Sequence, residues 1–282
     1  MAFLKNFNQF LSILLDTLRA AGRGRIWLLL LGYAAVVALG LLALYRCFTP
    51  ITYPFSQAVL ALASYVGGWN AQGFYQYPSQ FLILPVAHSW FKVVLAVFFE
   101  GLILGGVALL FYGHYTGSEG TTRRAKTLWS SWGQFILASL SLNLLLIALS
   151  FMPGLLQSFL EGNPRRQMIF ELAAVPIIYA VLQGLFFFVI PAIALYGEDV
   201  FRAMARSFRT FLRRPLTCIF LAGVALALPT LISLAANHPD VIIEKFRPEL
   251  VYWILLLSVV ADMIFNFLWI GTAVRFLVDE ES

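Results

Sequence analysis

The apolar positions of this chain occur in runs long enough for membrane-spanning helices, separated by short polar or mixed segments. A bilayer's hydrocarbon core is about 30 Å thick, so a helix needs roughly 20 mostly apolar residues to cross it. Six runs meet this length, over residues 26–47, 91–112, 130–151, 170–196, 217–236 and 251–276. We therefore predict an all-α fold in which residues 1–282 form a single transmembrane domain of six transmembrane helices.

Two other segments, residues 1–25 and 197–215, are predicted to be amphipathic helices, because their apolar residues recur at three-to-four spacing. These are Phe3, Phe7, Phe10, Leu11, Leu14 and Leu18 in the first segment and Val200, Phe201, Met204, Phe208, Phe211 and Leu212 in the second. The second segment also carries the arginines Arg202, Arg206, Arg209 and Arg213. We predict that both helices lie in the cytoplasmic interface, with these arginines facing lipid headgroups or a partner. The alternative, two linkers packed on the helix bundle, has the same periodicity.

Composition and charge place the chain in a membrane and predict its orientation. Hydrophobic residues make up 61% of the chain and charged residues 12%, which is too apolar for a water-soluble domain. Thirteen of the 19 Lys and Arg residues precede the first run, follow the second or fourth run, or lie at the end of the sixth. Because cytoplasmic loops collect these residues, both termini are predicted to be cytoplasmic. The lipid bilayer is then the expected partner of the basic charge, and no nucleic-acid-binding face is predicted.

Five polar residues lie inside the predicted spans at broadly similar depth: Glu100, Asn143, Gln183, Asp262 and Asn266. Acids within a bilayer are costly, so Glu100 and Asp262 should face the bundle interior and meet the amides. No Lys, Arg or His is predicted at that depth, and the two carboxylates have no expected counter-ion. The cluster is either a set of hydrogen bonds that lock the helices together, or a site for a proton, a cation or a substrate.

The predicted extracytoplasmic loop, residues 48–90, contains no Asp, Glu, Lys or Arg and is rich in aromatic residues. Aromatic side chains collect at membrane interfaces and at protein–protein interfaces. The loop is therefore predicted to be a cap on the outer membrane surface or a docking face for another membrane protein. Its candidate interface residues are Tyr53, Tyr65, Trp69, Tyr75 and Tyr77.

The sequence carries no motif typical of catalysis or of metal binding. Its two Cys and three His are scattered, and it has no zinc-protease, nucleophile-elbow or phosphate-loop pattern. We predict no cofactor, no metal and no enzymatic activity.

One local pattern is similar to a known family. The fourth run continues into Ala-Leu-Tyr-Gly-Glu-Asp at 194–199, followed by Ala203, Ser207, Arg209 and Pro215 before the fifth run. With an interfacial helix ahead of the first run, this resembles the six-helix membrane domain of some glycerophosphodiester phosphodiesterases and of related uncharacterised bacterial membrane proteins. The catalytic phosphodiesterase barrel has no counterpart here. The resemblance implies a bacterial inner-membrane protein without chemistry of its own.

These observations favour a non-enzymatic integral membrane subunit that acts through membrane-protein partners or lipids, in an assembly, scaffold or accessory role. The alternative is a transporter or permease component that uses the Glu100/Asp262 cluster.

Overall fold

The structure, a computed structural model, describes residues 2–46, 77–78, 80–117, 128–150, 164–236 and 238–281. Nearly all of these residues are helical, and none of them is in a β-strand. Five helices are long and apolar enough to cross a membrane, and a sixth apolar helix, Trp132–Ala148, is shorter within the described residues. The chain is therefore an all-α integral membrane protein.

Eleven helices follow one another along the described residues, with a π-helical turn, Phe170–Ala174, between the fifth and the sixth, and we number them in chain order. They are α1 (Ala2–Arg19), α2 (Gly24–Arg46), α3 (Gln80–Thr116), α4 (Trp132–Ser150), α5 (Pro164–Ile169), α6 (Val175–Phe186), α7 (Val189–Tyr196), α8 (Val200–Arg213), α9 (Pro215–Ala236), α10 (Pro239–Lys245) and α11 (Leu250–Glu281). The helices that could span a membrane are α2, α3, the pair α6 and α7, α9 and α11.

Helix α3 is longer than its apolar run predicts. It begins at Gln80, so residues 80–90 of the predicted loop are helical, and it continues for 37 residues to Thr116. A single wide turn of π-helix, Ala96–Glu100, interrupts it near its middle. Because of these extra turns, side chains that hydropathy alone assigns to the outer end of the helix lie farther inside it.

The chain divides into two compact units. The first unit comprises Met1–Leu31, Ala96–Ala227 and Ile264–Ser282, and the second comprises Gly32–Leu95 and Leu228–Met263. Large aromatic side chains that are almost fully buried form the core of the first unit: Phe111, Phe135, Phe187, Phe188, Phe267 and Phe276. The core of the second unit is Leu41, Phe81, Leu84, Ile242, Val251 and Leu255.

Glycines permit close helix packing in each unit. In the first unit, a Cβ atom at Gly105 would lie 2.7 Å from Cζ of Phe135, so α3 and α4 approach closely only because that Cβ is absent. In the second unit, the Phe91 ring occupies the place that a Cβ of Gly40 would take. Both contacts are the kind of small-residue packing that associates helices in membranes.

The predicted fourth span is a broken helix whose freed backbone groups are satisfied by side chains. Pro191 has no N–H to donate to the carbonyl of Phe187 four residues earlier, and the Trp269 indole N–H donates to that carbonyl instead, at 2.9 Å. The Ser207 hydroxyl accepts from the N–H of Phe188 at 3.2 Å and donates to the carbonyl of Leu185. The break between α6 and α7 is thus held by α8 and α11 within the first unit.

Candidate functional site

Helix α8 is defined by clear start and stop residues. Gly197 ends α7 in the left-handed conformation, at φ 66°, which glycine adopts without steric cost. Asp199 caps α8, because its carboxylate accepts from the backbone N–H of Arg202 at 3.0 Å. Pro215 begins α9 after Arg214, where the helix has ended. These signals place the four predicted arginines on one short helix.

One face of α8 is buried within the protein. Its residues are Val200, Ala203, Ser207, Thr210 and Phe211. Phe211 packs where a Cβ of Gly184 would approach its ring to 3.1 Å. The six apolar residues predicted to form one face therefore divide between two environments. Tertiary packing covers Val200 and Phe211, Met204 is half-buried, and Phe201, Phe208 and Leu212 are exposed.

A second face of α8 is apolar and exposed. Phe201, Phe208 and Leu212 are 78%, 51% and 61% exposed, and their spacing of seven and four residues aligns them along the helix. We call these three residues the apolar stripe. Beside it run the arginines Arg202, Arg206, Arg209 and Arg213, all exposed, which we call the arginine stripe. A helix with adjacent exposed apolar and cationic stripes matches the boundary between lipid tails and headgroups.

The arginines of the stripe are not equivalent. Arg202 forms an ion pair with Asp199 at 3.2 Å. The Nε atom of Arg206 donates to Glu198 Oε1 at 3.0 Å, and its guanidinium lies 4.3 Å from the centre of the Tyr196 ring. The hydrogen bond that Arg206 donates to Glu198 raises the pKa of Arg206 above its ordinary value. Among the described residues, no acidic side chain forms an ion pair with Arg209 or Arg213.

Helix α1 repeats the arrangement of α8. Its buried face is Phe10, Ile13 and Thr17, and its exposed apolar stripe is Phe7, Leu11, Leu15 and Leu18. An ion pair of 2.9 Å between Asp16 and Arg275 ties α1 to the end of α11. Thr17 also packs against Gly271, where a Cβ atom would collide with it. Both predicted amphipathic segments are thus helices that expose an apolar edge while another edge is packed on the protein.

An open polar pocket of about 470 Å³ lies between α8 and the end of α11. Its walls are Tyr196, Arg206, Arg213, Arg214, Leu277, Asp279 and Glu280. Of these residues, Arg206 and Arg213 are predicted from the sequence to face lipid headgroups or a partner, whereas Arg214, Asp279 and Glu280 are not among the predicted site residues. The acidic ending of the chain was a signal for the last two, but only packing brings them beside the arginines.

Glu100 and Asn266 meet in the first unit, as the polar pattern predicts. The Asn266 Nδ2 atom donates to Glu100 Oε1 at 2.9 Å. Glu100 ends the π-helical turn, and such turns are frequent at functional sites. The same turn leaves the carbonyl of Phe98 open to the Trp132 indole N–H, at 2.7 Å.

Asp262, in the second unit, forms an ion pair with Lys92. The expectation that Asp262 has no counter-ion is wrong, because it assumed that the helix starts at Phe91. The structure begins α3 at Gln80, which places Lys92 twelve residues, or about 18 Å, into the helix. His88, one turn before Lys92, is 2% exposed, and neither ring nitrogen has a hydrogen-bond partner among the described residues. The spacing of four residues between His88 and Lys92 places both on one face of a helix, and it is the sequence signal for this arrangement.

The two remaining amides of the predicted cluster lie apart from these contacts. Asn143 donates to the carbonyl of Ser139 in its own helix, at 2.8 Å. Gln183 is 5% exposed, and its amide nitrogen has no partner among the described residues.

Most of the predicted aromatic interface falls outside the described residues, namely Tyr53, Tyr65, Trp69 and Tyr75. Tyr77 is described and is 62% exposed. Its hydroxyl donates to Glu249 at 3.2 Å, and its ring meets Phe81 edge-on at 6.1 Å.

Within the described residues, no group of three or more His, Cys, Asp and Glu side chains is placed to hold a metal ion. Comparisons of the chain with protein-family models, with curated proteins and with solved structures found no match. The similarity to phosphodiesterase membrane domains accordingly stays a prediction.

Proposed function

We propose that this chain is a non-enzymatic six-span protein of a bacterial inner membrane, with both termini in the cytoplasm, that works through lipids and membrane-protein partners. Helix α4 is the sixth span, and α1 and α8 lie in the cytoplasmic leaflet at the level of the headgroups. The positive charge of the predicted cytoplasmic segments supports this orientation.

The observation that carries the proposal is the pair of stripes on α8. Phenylalanine and leucine side chains exposed along a whole helix face are unfavourable in water, where burying each of them is worth about 1.5–3 kcal/mol. At a membrane boundary the apolar stripe enters the acyl region while the arginine stripe meets phosphates. A single placement then satisfies both faces.

The test replaces arginines that lie outside the polar pocket. Arg202→Gln with Arg209→Gln should lower the affinity of the purified full chain for phosphatidylglycerol about tenfold, since each cationic residue near a headgroup surface contributes on the order of 1 kcal/mol. Native mass spectrometry of the protein titrated with the lipid at two salt concentrations measures the loss and its salt dependence.

The matched control is Arg165→Gln with Arg166→Gln, which removes the same charge from the exposed, predicted extracytoplasmic side. The control should bind phosphatidylglycerol like the wild type. Equal losses in the two double variants would show that only net charge matters, and the proposal would then be rejected.

A transporter or permease component is the second candidate function. It is favoured by the ion pair between Lys92 and Asp262 in apolar helices, one turn away from the buried His88, whose ring nitrogens have no hydrogen-bond partner among the described residues. Charged groups inside spans commonly mark proton or ion pathways.

A further inference from the structure

Two charged residues that line the polar pocket between α8 and α11 already form ion pairs within the protein. Arg206 is held by Glu198 and stacks on Tyr196. Asp279 forms an ion pair with Arg275 at 2.8 Å. These pairs neutralise one cation and one anion of the lining, so they shape the pocket rather than leave charge for a ligand.

Two cations and one anion of the lining remain. Within the described residues, no acid forms an ion pair with Arg213 or Arg214, and no basic side chain does so with Glu280. Arg214 lies 5.6 Å from the centre of the Phe276 ring, which orients its guanidinium. Because α8 ends at Arg213 and the backbone leaves the helical conformation at Arg214, these consecutive arginines line the same pocket.

This charge pattern matches a ligand that carries both signs. Adjacent guanidiniums favour a phosphate group, which they can bind with paired hydrogen bonds. A ligand with negative charge only would be opposed by the carboxylate of Glu280 in the same pocket. A primary ammonium next to the phosphate removes that repulsion and donates hydrogen bonds to Glu280, which a quaternary ammonium lacks the N–H groups to do.

We infer that this pocket binds the phosphoethanolamine headgroup of a membrane lipid, with the phosphate on Arg213 and Arg214 and the ammonium on Glu280. The lipid source follows from the apolar stripe of α8, beside which the acyl chains of such a lipid can lie. The inference therefore rests on the proposed interfacial position of α8.

The test titrates the full chain in detergent with phosphatidylethanolamine, phosphatidylglycerol and phosphatidylcholine of identical acyl chains, followed by native mass spectrometry. Wild type should bind phosphatidylethanolamine at least tenfold more tightly than phosphatidylcholine. Arg213→Gln with Arg214→Gln should weaken phosphatidylethanolamine about tenfold. Glu280→Gln should remove most of the preference over phosphatidylcholine, and Glu280→Asp should keep it.

Two further arms separate this inference from its alternatives. Inorganic phosphate and soluble glycerophosphoethanolamine, each in millimolar excess, should displace the lipid poorly, and displacement by phosphate alone would identify a soluble-anion site and overturn the inference. Arg202→Gln with Arg209→Gln should lower phosphatidylglycerol binding and leave phosphatidylethanolamine binding unchanged. If that double variant changes the binding of neither lipid, the interfacial placement of α8 is rejected. Failure of the pocket inference alone is seen instead in the Arg213, Arg214 and Glu280 variants, when these do not alter phosphatidylethanolamine binding as expected.

Equal affinity of wild type for the three lipids, or an unchanged preference in Glu280→Gln, would also overturn the inference. Thermal unfolding of each variant in the same detergent establishes that the binding losses come from folded protein.

Discussion

Lys92 and Asp262 carry opposite charges on two apolar helices, and their side chains are 34% and 31% exposed. Two charges taken partly out of water repay their desolvation only while they remain paired. Removing one partner leaves the other charge without compensation, whereas removing both charges leaves no such penalty. The pair therefore behaves differently in single and double variants.

Asp262→Asn and Lys92→Met should each lower the free energy of unfolding by about 1–2 kcal/mol, because each leaves a partly buried group without its partner. The double variant, with both charges absent, should lie closer to wild type than the sum of the two losses. Thermal unfolding in one detergent measures all three. Asp240→Asn, at an exposed acid of the same unit, is the control. Strictly additive losses would mean that the pair is not coupled.

Glu100→Gln should keep the hydrogen bond from Asn266, since a glutamine carbonyl accepts as a carboxylate does. Its unfolding temperature should stay within a few degrees of wild type, while Glu100→Leu should lose about 1–2 kcal/mol by leaving the Asn266 amide unpaired. A stable Glu100→Gln or Asp262→Asn variant that fails to complement a deletion would favour the transporter candidate. Full complementation by both variants would leave a structural role.

The break between α6 and α7 shows how a helix interrupted by proline can remain in an apolar environment. Backbone groups that lose their helical partners must find others, since each unsatisfied group in such surroundings costs several kcal/mol. Ser207 and Trp269 provide those partners. They also join the interfacial helix α8 to the bundle, so the same contacts that satisfy the break hold α8 in place.

Ser207→Ala should destabilise the protein by about 1–3 kcal/mol, because the Leu185 carbonyl and the Phe188 N–H both lose their partner. Ser233→Ala is the matched control, since its exposed hydroxyl bonds only a carbonyl of its own helix. Trp269→Phe should also destabilise by leaving the Phe187 carbonyl unpaired. Adding Pro191→Ala to Trp269→Phe should reduce the loss caused by Trp269→Phe, because an alanine at position 191 restores an N–H four residues after Phe187. Differential scanning fluorimetry in detergent follows all four variants.

Large apolar side chains are exposed along several of the described helices, as is typical of contact with lipid. Leu28 and Leu39 of α2 and Leu231 of α9 are 70%, 64% and 66% exposed, and large exposed apolar patches are rare on water-soluble proteins. The basic residues are distributed unevenly along the chain, and the arginines of α8 account for much of the predicted cytoplasmic charge. The orientation of the molecule therefore depends strongly on this one helix.

In a Cys47→Ser background, Arg209→Cys should be protected from a membrane-impermeant maleimide in intact spheroplasts and should react after lysis. Arg165→Cys, which is exposed on the opposite predicted side, should react without lysis. The remaining Cys218 is buried and contributes little background. External labelling at position 209 would reverse the proposed orientation. A cytoplasmic reporter joined after Ser282 gives an independent readout and should be active.

Hydropathy along the chain was sufficient to predict the all-α membrane fold and, within a few residues, the start of α2 and the bounds of α9. These properties are local, because a span needs only enough consecutive apolar residues, and proline or glycine at its ends. The helical conformation of residues 2–19 and 200–213 was predictable from periodicity for the same local reason. Which apolar residues of α8 are covered was not, because Phe211 is buried by α6 and Phe201 is not, although both fit one helical face.

The polar contacts depended on where distant segments meet. The start of α3 at Gln80 decides the depth of Lys92 and hence its pairing with Asp262, and a hydropathy window sets such boundaries poorly when an uncharged, proline-containing segment adjoins the span. Arg214 and Glu280 are 66 residues apart in the chain, and nothing local to either residue indicates the other. Hydrophobicity and helical periodicity follow from neighbouring residues, whereas a pocket or an ion pair exists only when packing brings separate helices together.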